Sequence, residues 1–388
     1  MRIGVLTTGY PRFDGDVAGL FVRGMARALA ARGHALEVLA PAPRKPTAPL
    51  GDASITVRHV AYAPPVLRKT FYGAGVPDNL RHPLAWPGLA AFPVALVAEA
   101  RRRATDWDAV LSHWALPSAL VGGLVRGDRP HLAVLHSADV HLLGRLPGRA
   151  RWVDAVARAS TELLFASAAH RASFLDALPP TRRATVAGHA HASAMGIDPL
   201  PETEDRRALR RRLGLDRFTV LFLGRLVPIK GLAVAIDALR GLDDVELVVA
   251  GDGPLRGLAK EGVGRFVGHV DAVRKAELLR AADALVLPST PLASGRTEGT
   301  PTVALEAGSA GLPIIASEVG GLPELFAHDR SALFVPPRDP GAIRDAVERL
   351  RGDRKLRRRL ARAAGTVAKH HAWSELAPRI EALLSPQG

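Results

Sequence analysis

Ala284-Leu285-Val286-Leu287-Pro288-Ser289, followed after a loop by Glu298-Gly299-Thr300-Pro301-Thr302-Val303-Ala304-Leu305-Glu306, is the stretch that decides the architecture. The first part is a continuous apolar run closed by proline and serine, as expected of a strand buried on both faces. The second part leads from glycine and proline into an apolar helix. Strand, loop and helix in that order form half of a βαβ unit, so the strand belongs to a parallel sheet. The two glutamates have seven residues between them, a spacing that inside one helix would put both on the same face. Gly299 and Pro301 instead place Glu298 in the loop and Glu306 within the helix. Thr300 is the expected N-cap and Pro301 the expected first helical residue. The amides of Thr302 and Val303 then lack intrahelical acceptors and form a site for phosphate. With one carboxylate beside that site and another a turn behind it, the segment suits a phosphate-bearing ligand rich in hydroxyls, such as a nucleotide sugar.

The same alternation extends outward in both directions. In the first half, Ile3–Thr8, Leu36–Ala40, Ile55–Val60, Ala109–His113, His131–His136 and Glu162–Ala166 read as strands, and Gly19–Arg32 reads as a helix ending at Gly33. In the second half, Thr219–Leu223, Glu246–Ala250, Ala284–Leu287, Pro313–Ala316 and Ala332–Val335 repeat the scheme. The fold class expected is therefore α/β, with two doubly wound Rossmann-like domains, 1–200 and 201–372. Pro199, Pro201 and the charged stretch Glu202–Arg212 mark the linker. Trp373–Leu384 looks helical with no strand after it, so 373–388 is expected to pack back on the first domain. Residues 61–87, with five prolines, form an irregular stretch long enough to be functional. Ligands of open α/β sheets bind at the carboxyl ends of the strands, so the ligand is expected in a cleft there, between the two domains.

Composition narrows the class. The chain has 388 residues, 47% hydrophobic and 23% charged, enough for two ordinary globular domains. There is no cysteine, which excludes disulfides and thiolate chemistry. Met1-Arg2-Ile3-Gly4-Val5 enters a strand rather than the apolar core of a signal peptide. The apolar run Gly88–Ala100, interrupted by Pro93, is expected to be too short to span a bilayer. A cytoplasmic protein is the expectation. The net charge is +14, with 23 Lys and Arg against 14 Asp and Glu in residues 1–200, and 29 against 24 in 201–388. A basic first half suits peripheral contact with an anionic membrane or an acidic acceptor. Arg101-Arg102-Arg103 and Arg357-Arg358-Arg359 also fit plain solvated helix faces. Aromatics are only 5% and do not interleave with the basic residues, so no nucleic-acid partner is expected.

Several strand ends carry candidate chemistry. Phe222-Leu223-Gly224-Arg225 ends a strand, and Lys230 follows around the loop. Two cations there can neutralise a diphosphate leaving group. Gly251-Asp252-Gly253-Pro254 reads as a tight turn at the same rim. Neither half has a G-x-G-x-x-G after its first strand or a P-loop lysine, which counts against dinucleotide and ATP use. Thr8–Gly19 is a loop rich in Gly and Asp, and Gly19 at the start of the helix would let backbone approach a phosphate or sugar. His136, followed by Ser137-Ala138-Asp139, ends another strand and is placed to hydrogen-bond a sugar hydroxyl. His113-Trp114 is a second candidate, more for packing against the acceptor than for chemistry. His189–His191 lacks carboxylate or cysteine partners at ligand spacing, so no metal site is expected there.

Taken together these residues resemble the family-4 retaining glycosyltransferases of the GT-B fold. The resemblance covers nearly the whole chain: Gly19 before its helix, His136 to Asp139, Met195-Gly196-Ile197-Asp198, Gly224-Arg225 with Lys230, Gly251 to Pro254, the spaced glutamates and Trp373. It implies a UDP- or GDP-sugar donor held mainly by the second domain, with a glycan or lipid-linked acceptor. On that likeness Arg225 and Lys230 grip the diphosphate with the amides after Thr300. Glu306 binds the ribose hydroxyls, Glu298 the hydroxyls of the sugar, and His136 contacts the sugar from the first domain. Gly253, Gly299, Thr300, Pro301, Thr302 and Val303 complete the donor site, and no metal is required. Asp14-Gly15-Asp16-Val17-Ala18-Gly19 lacks the adjacent glycines common in the family. Thr300 stands where an aromatic often follows the glycine, which bears on the sugar and not on the reaction class. A nucleotide-sugar epimerase of similar architecture and a non-catalytic nucleotide-sugar-binding subunit are the alternatives.

Overall fold

The structure, a computed structural model, describes residues 1–47, 50–72, 79, 83–261, 264–293 and 297–385. The chain forms two compact units, Met1–Gly196 with Trp373–Gly388, and Ile197–Ala372. The break falls slightly ahead of residue 200.

The first unit is built on a parallel sheet of β1 (Arg2–Leu6), β2 (Ala35–Pro41), β3 (Ile55–Val60), β4 (Ala109–His113), β5 (His131–Leu135), β6 (Glu162–Phe165) and β7 (Ala190–Ala192). Its order is β3-β2-β1-β4-β5-β6-β7. The second unit holds β8 (Phe218–Leu223), β9 (Val245–Ala250), β10 (Arg265–Gly268), β11 (Ala284–Leu287), β12 (Ile314–Ser317) and β13 (Leu333–Val335) in the order β10-β9-β8-β11-β12-β13. All pairings in both sheets are parallel. The apolar runs are continuous because helices cover both faces. In β8, Val220 and Phe222 enter one core cluster while Leu221 and Leu223 enter the other. The strand order reverses at β1/β4 in one sheet and at β8/β11 in the other. These are the switch points, where loops diverge and leave a crevice outside the carboxyl ends.

The last helix, Trp373–Leu384, packs on the Leu20–Ala30 helix of the first unit. A Cβ at Gly24 would lie 2.2 Å from the Trp373 indole nitrogen, so the close approach requires glycine there. Leu376, Ile380 and Leu384 extend this contact into the core with Met25 and Leu29.

Three expectations need correction. The short edge strands β7 and β10 carry too few apolar residues to stand out as runs. The apolar run Gly88–Ala100 is part of a longer helical stretch, Pro83–Asp106, which by length and composition alone is long and apolar enough to cross a membrane. Its regular helix is Trp86–Arg103, with Pro93 inside it. The helix after Glu298 begins one residue later than expected, with Pro301 as its N-cap and Thr302–Ser309 helical. The proline disfavours a helical Thr300 before it, and Pro301 itself stays extended at ψ 115°.

Candidate functional site

In the second unit, the loops leaving β8 and β11 flank the switch point. The loop after β8 makes a single 3-10 turn, Pro228–Lys230, before its helix. Gly231 ends that turn at φ 70°, and a Cβ there would lie 1.8 Å from the carbonyl oxygen of Pro288. Thr290 N donates to Ile229 O across the same gap at 2.8 Å. The two loops are therefore locked together by backbone. That lock brings Lys230 Nζ to 2.8 Å from Glu298 Oε2, with both side chains largely buried. Ser289 Oγ donates to the same carboxylate oxygen at 3.0 Å. Arg225 leaves the end of β8 and is exposed.

The helix Thr302–Ser309 starts just beyond; Thr302 and Val303 open its first turn ahead of the intrahelical ladder, and Ala304 N donates to Pro301 O at 3.1 Å. Glu306, half-buried one turn in, accepts from Lys275 Nζ at 2.6 Å. Lys275 comes from the neighbouring helix Ala272–Ala281. Each glutamate of the spaced pair is thus held by a lysine. The Lys230 pair joins two residues that sequence reading singled out; Lys275 carries no motif and was missed. Its only trace in the sequence is the need of a half-buried Glu306 for a counter-charge.

Gly253 sits at φ 155°, and a Cβ there would lie 2.5 Å from Leu226 O. Leu226 N donates to Asp252 O at 2.9 Å, so the turn after β9 is stitched to the loop after β8. Gly299 O accepts from Gly321 N at 3.1 Å, which ties the glutamate loop to the segment after β12.

In the first unit, the carboxyl edge is apolar and aromatic. His136 follows β5 in an extended conformation and caps the helix Ser137–Leu143. Its ring lies 4.5 Å from Phe21, 4.5 Å from Trp114 and 5.6 Å from His113, to which it is nearly parallel. His136 Nε2 is 3.3 Å from His113 Nδ1. Burial pushes His113 down to about 3 and His136 well below the usual histidine range, with His113 adding to the latter. Both rings are neutral at physiological pH. His113 Nε2 and Trp114 Nε1 are buried with no hydrogen-bond partner among the described residues. Asp139 accepts from Ala115 N at 2.9 Å and Val140 N at 3.0 Å, linking the segment after β4 to the one after β5. Burial lifts its carboxyl to about 7, despite the lowering effect of those amides.

Gly19 caps the Leu20–Ala30 helix at φ 66°, and a Cβ there would lie 2.3 Å from Gly9 O. Its glycine is explained by the loop folding on itself. Asp16 seals that loop: Arg12 Nη2 donates to its Oδ1 at 3.1 Å, and the Ala18 amide to the same oxygen at 3.2 Å. The His189–His191 run acquires a carboxylate from an adjacent strand, His191 Nε2 to Glu162 Oε2 at 2.7 Å. Among the described residues no three of His, Asp or Glu converge as a metal cluster.

Two doubly wound parallel sheets whose strand-end loops carry this paired lysine–glutamate site define a GT-B fold. Residues 205–367 match the glycosyl transferases group 1 family. A D-inositol 3-phosphate glycosyltransferase from Jonesia denitrificans is 30% identical over 413 residues, covering 94% of this chain and 90% of the relative. A GDP-mannose-dependent alpha-(1-6)-phosphatidylinositol monomannoside mannosyltransferase from Mycolicibacterium smegmatis is 31% identical, covering 79% of this chain and 83% of the relative. The crystal structure of Anabaena HepE in complex with UDP shares the fold, with a TM-score of 0.74 at 20% identity over 99% of both chains. The chain belongs to the group 1 glycosyl transferases.

Proposed function

We propose that the protein is a retaining, metal-independent hexosyltransferase of the family-4 type. It moves a sugar from a UDP- or GDP-sugar to a hydroxyl of a glycan or lipid-linked acceptor, in cell-surface polysaccharide or glycolipid synthesis. The observation that carries this reading is the Lys230–Glu298 pair beside the first turn of the Thr302–Ser309 helix. A lysine and a set of amides suit a diphosphate, while the two carboxylates suit hydroxyls. The relatives named above act by their names on inositol phosphate and on a phosphatidylinositol mannoside, which supports a phosphorylated or lipid-linked acceptor.

In this mechanism Arg225, Lys230 and the amides of Thr302 and Val303 hold the diphosphate. Glu306 takes the ribose hydroxyls and Glu298 those of the sugar. Without donor, Lys230 and Glu298 satisfy each other; with donor, the lysine turns to phosphate and the carboxylate to sugar. As the glycosidic bond breaks, negative charge grows on the diphosphate, and the cations stabilise it more in the transition state than in the ground state. The acceptor hydroxyl attacks the oxocarbenium-like carbon from the face the diphosphate leaves, and a phosphate oxygen takes its proton. Neutral His136 hydrogen-bonds the sugar. The unsatisfied ring nitrogens of His113 and Trp114 beside it support a hydroxyl-rich ligand at that edge.

The deciding experiment is calorimetric titration of UDP and GDP in the presence of a chelator, on wild type and Glu306→Ala. Micromolar binding of one nucleotide, lost in the variant, is the expected result. Binding of neither overturns the donor assignment. With a donor identified, NMR of the product anomer tests retention.

A further inference from the structure

Trp114 sits in a backbone conformation that its side chain makes costly. It lies at φ 77° and ψ 136°, off the left-handed helical region as well as the right-handed one. Among the described residues it is the one aromatic with positive φ. A bulky residue holds such a geometry only where its surroundings over-determine it, and strain of this kind concentrates at functional sites. Three ties hold it here. Trp114 N donates to Val134 O of β5 at 3.0 Å, and Ala119 N donates to Trp114 O at 3.2 Å. The third tie ends on a side chain: Ala115 N, the next amide along, donates to Asp139 Oδ2 at 2.9 Å.

The strained turn also carries polar atoms that nothing within it satisfies. His113 Nε2, Trp114 Nε1 and Ser118 Oγ are buried with no hydrogen-bond partner among the described residues. Three such atoms between His113 and Ser118 are a cost that a mere connection would not carry. The rings of His113 and Trp114 pack on His136, and all three meet Phe21. The turn after β4 and the residue after β5 therefore present one cluster.

Asp139 reaches both halves of that cluster. It is the third residue of the helix Ser137–Leu143, whose N-cap is His136. One carboxyl oxygen takes the Ala115 amide and the other takes the Val140 amide. The amide of His136 also favours the ionised form, as expected when a carboxylate at the third helical position faces the N-cap. The side chain is buried, and the groups that lower its pKa are backbone amides with no cation among them. Burying a carboxyl without a cation is unfavourable in itself, so its value to the fold lies in what it holds in place.

We propose that Asp139 is a positioning residue for the reaction: its carboxyl clamps the strained Trp114 turn to the helix behind His136 and fixes His113, Trp114 and His136 as one surface for the sugar hydroxyls. The proposal rests on the transferase reading of His136 and deepens it. Asp139 touches no substrate and acts through the two segments it joins. Without the clamp, Trp114 relaxes toward ordinary extended backbone, His113 turns with it, and the stack on His136 opens. A displacement of about 1 Å in such a surface is enough to slow a reaction about a hundredfold.

The test compares Asp139→Ala, Asp139→Asn and Ala115→Pro in the full chain. Ala115→Pro deletes the donated amide and leaves the carboxyl in place. Of the segment Ala115–Ala119 only Leu116 departs from helical dihedrals, so proline can be accommodated at Ala115. The first measurement is turnover of UDP-glucose and of GDP-mannose to nucleoside diphosphate with water as acceptor, beside calorimetry of UDP and GDP. Asp139→Ala and Ala115→Pro are expected to lower kcat roughly tenfold to a hundredfold with nucleotide Kd unchanged. Asp139→Asn, which keeps an acceptor for the Ala115 amide, is expected to regain most of the loss. Asp139→Ala added to His136→Ala should cost little beyond His136→Ala alone. The second measurement is the indole N–H resonance of Trp114, assigned with Trp114→Phe. It should move in Asp139→Ala and Ala115→Pro and stay near wild type in Asp139→Asn.

Unchanged kcat in folded Asp139→Ala overturns the proposal. So does full multiplication of the Asp139 and His136 effects, because the carboxyl would then act independently of His136. If Asp139→Ala does not fold, unchanged kcat in Ala115→Pro overturns it equally. If wild type neither binds nor turns over these nucleotides, the transferase reading falls; a Trp114 resonance that loss of the tie leaves unmoved overturns the clamp separately.

Discussion

The carboxyl edges of the two sheets share a topology and differ in chemistry. In the second unit the edge is built from charge, with Lys230 on Glu298 and Lys275 on Glu306. In the first it is built from neutral rings, with His113, His136, Trp114 and Phe21 packed together. Both use the crevice of a switch point, so topology places a site without deciding what it binds. On the proposed function, the charged edge suits a group whose charge changes during reaction, and the neutral edge suits a group oriented by shape and hydroxyl contacts.

If that division holds, the largest effects come from the charged edge. Lys230→Ala and Glu298→Ala should each lower kcat/KM by roughly 10² to 10³, about 3–4 kcal/mol, by analogy with single donors at an oxyanion site. Because the two side chains hold each other, the double variant should fall well short of the product of the singles. His136→Ala gives the contrast: reduced turnover with nucleotide affinity unchanged by calorimetry. A loss of nucleotide affinity in His136→Ala as large as in Lys230→Ala would dissolve the distinction between the edges.

Lys275 sharpens the same contrast within the second unit. It contacts Glu306 rather than the segment around Glu298, so Lys275→Leu should act on binding and spare the chemical step. A charge-assisted hydrogen bond of this kind is worth about 1.5–3 kcal/mol, so nucleotide Kd should rise roughly tenfold or more. Lys275→Arg should restore part of it. An unchanged Kd in Lys275→Leu would make the pair incidental to the ligand site.

How much of this could be read beforehand follows from the same physics. Val245–Ala250, Ala284–Leu287 and Ile314–Ser317 are buried along their whole length, so apolar runs marked them. Glu298 and Glu306 stood out because glycine and proline punctuate the chain around them. Lys275 is 31 residues from Glu306 in sequence and sits on a helix with no special pattern, so only the packing of two helices reveals it. Gly19 has a second reason to be glycine that the sequence did not show: a Cβ there would meet Gly9 O of the same loop at 2.3 Å.

The neutral edge makes one further prediction, in the pH dependence of stability. Asp139, lifted to about 7 chiefly by burial, holds its proton more tightly folded than unfolded, where the carboxyl titrates near 3.8. Its contribution is full below 3.8 and is lost as pH rises through about 7. Burial acts oppositely on His113, His131 and His136, which it keeps neutral: it pushes them to about 3, about 4 and well below 6.5, respectively. Their contribution is present above 6.5 and is lost as pH falls toward those values. Between about 4 and 6.5, Asp139 therefore offsets part of the acid sensitivity of the imidazoles. Asp139→Asn keeps an acceptor for the Ala115 amide and cannot titrate, so it removes only the offset. Its stability should fall more steeply than wild type from pH 6.5 to about 4.5, by up to about 1.4 kcal/mol per pH unit. Above pH 8 the variant should equal or exceed wild type, because an ionised, buried carboxylate is no longer present. Denaturant titrations across that range decide it: parallel curves would mean that Asp139 carries no proton in the folded chain.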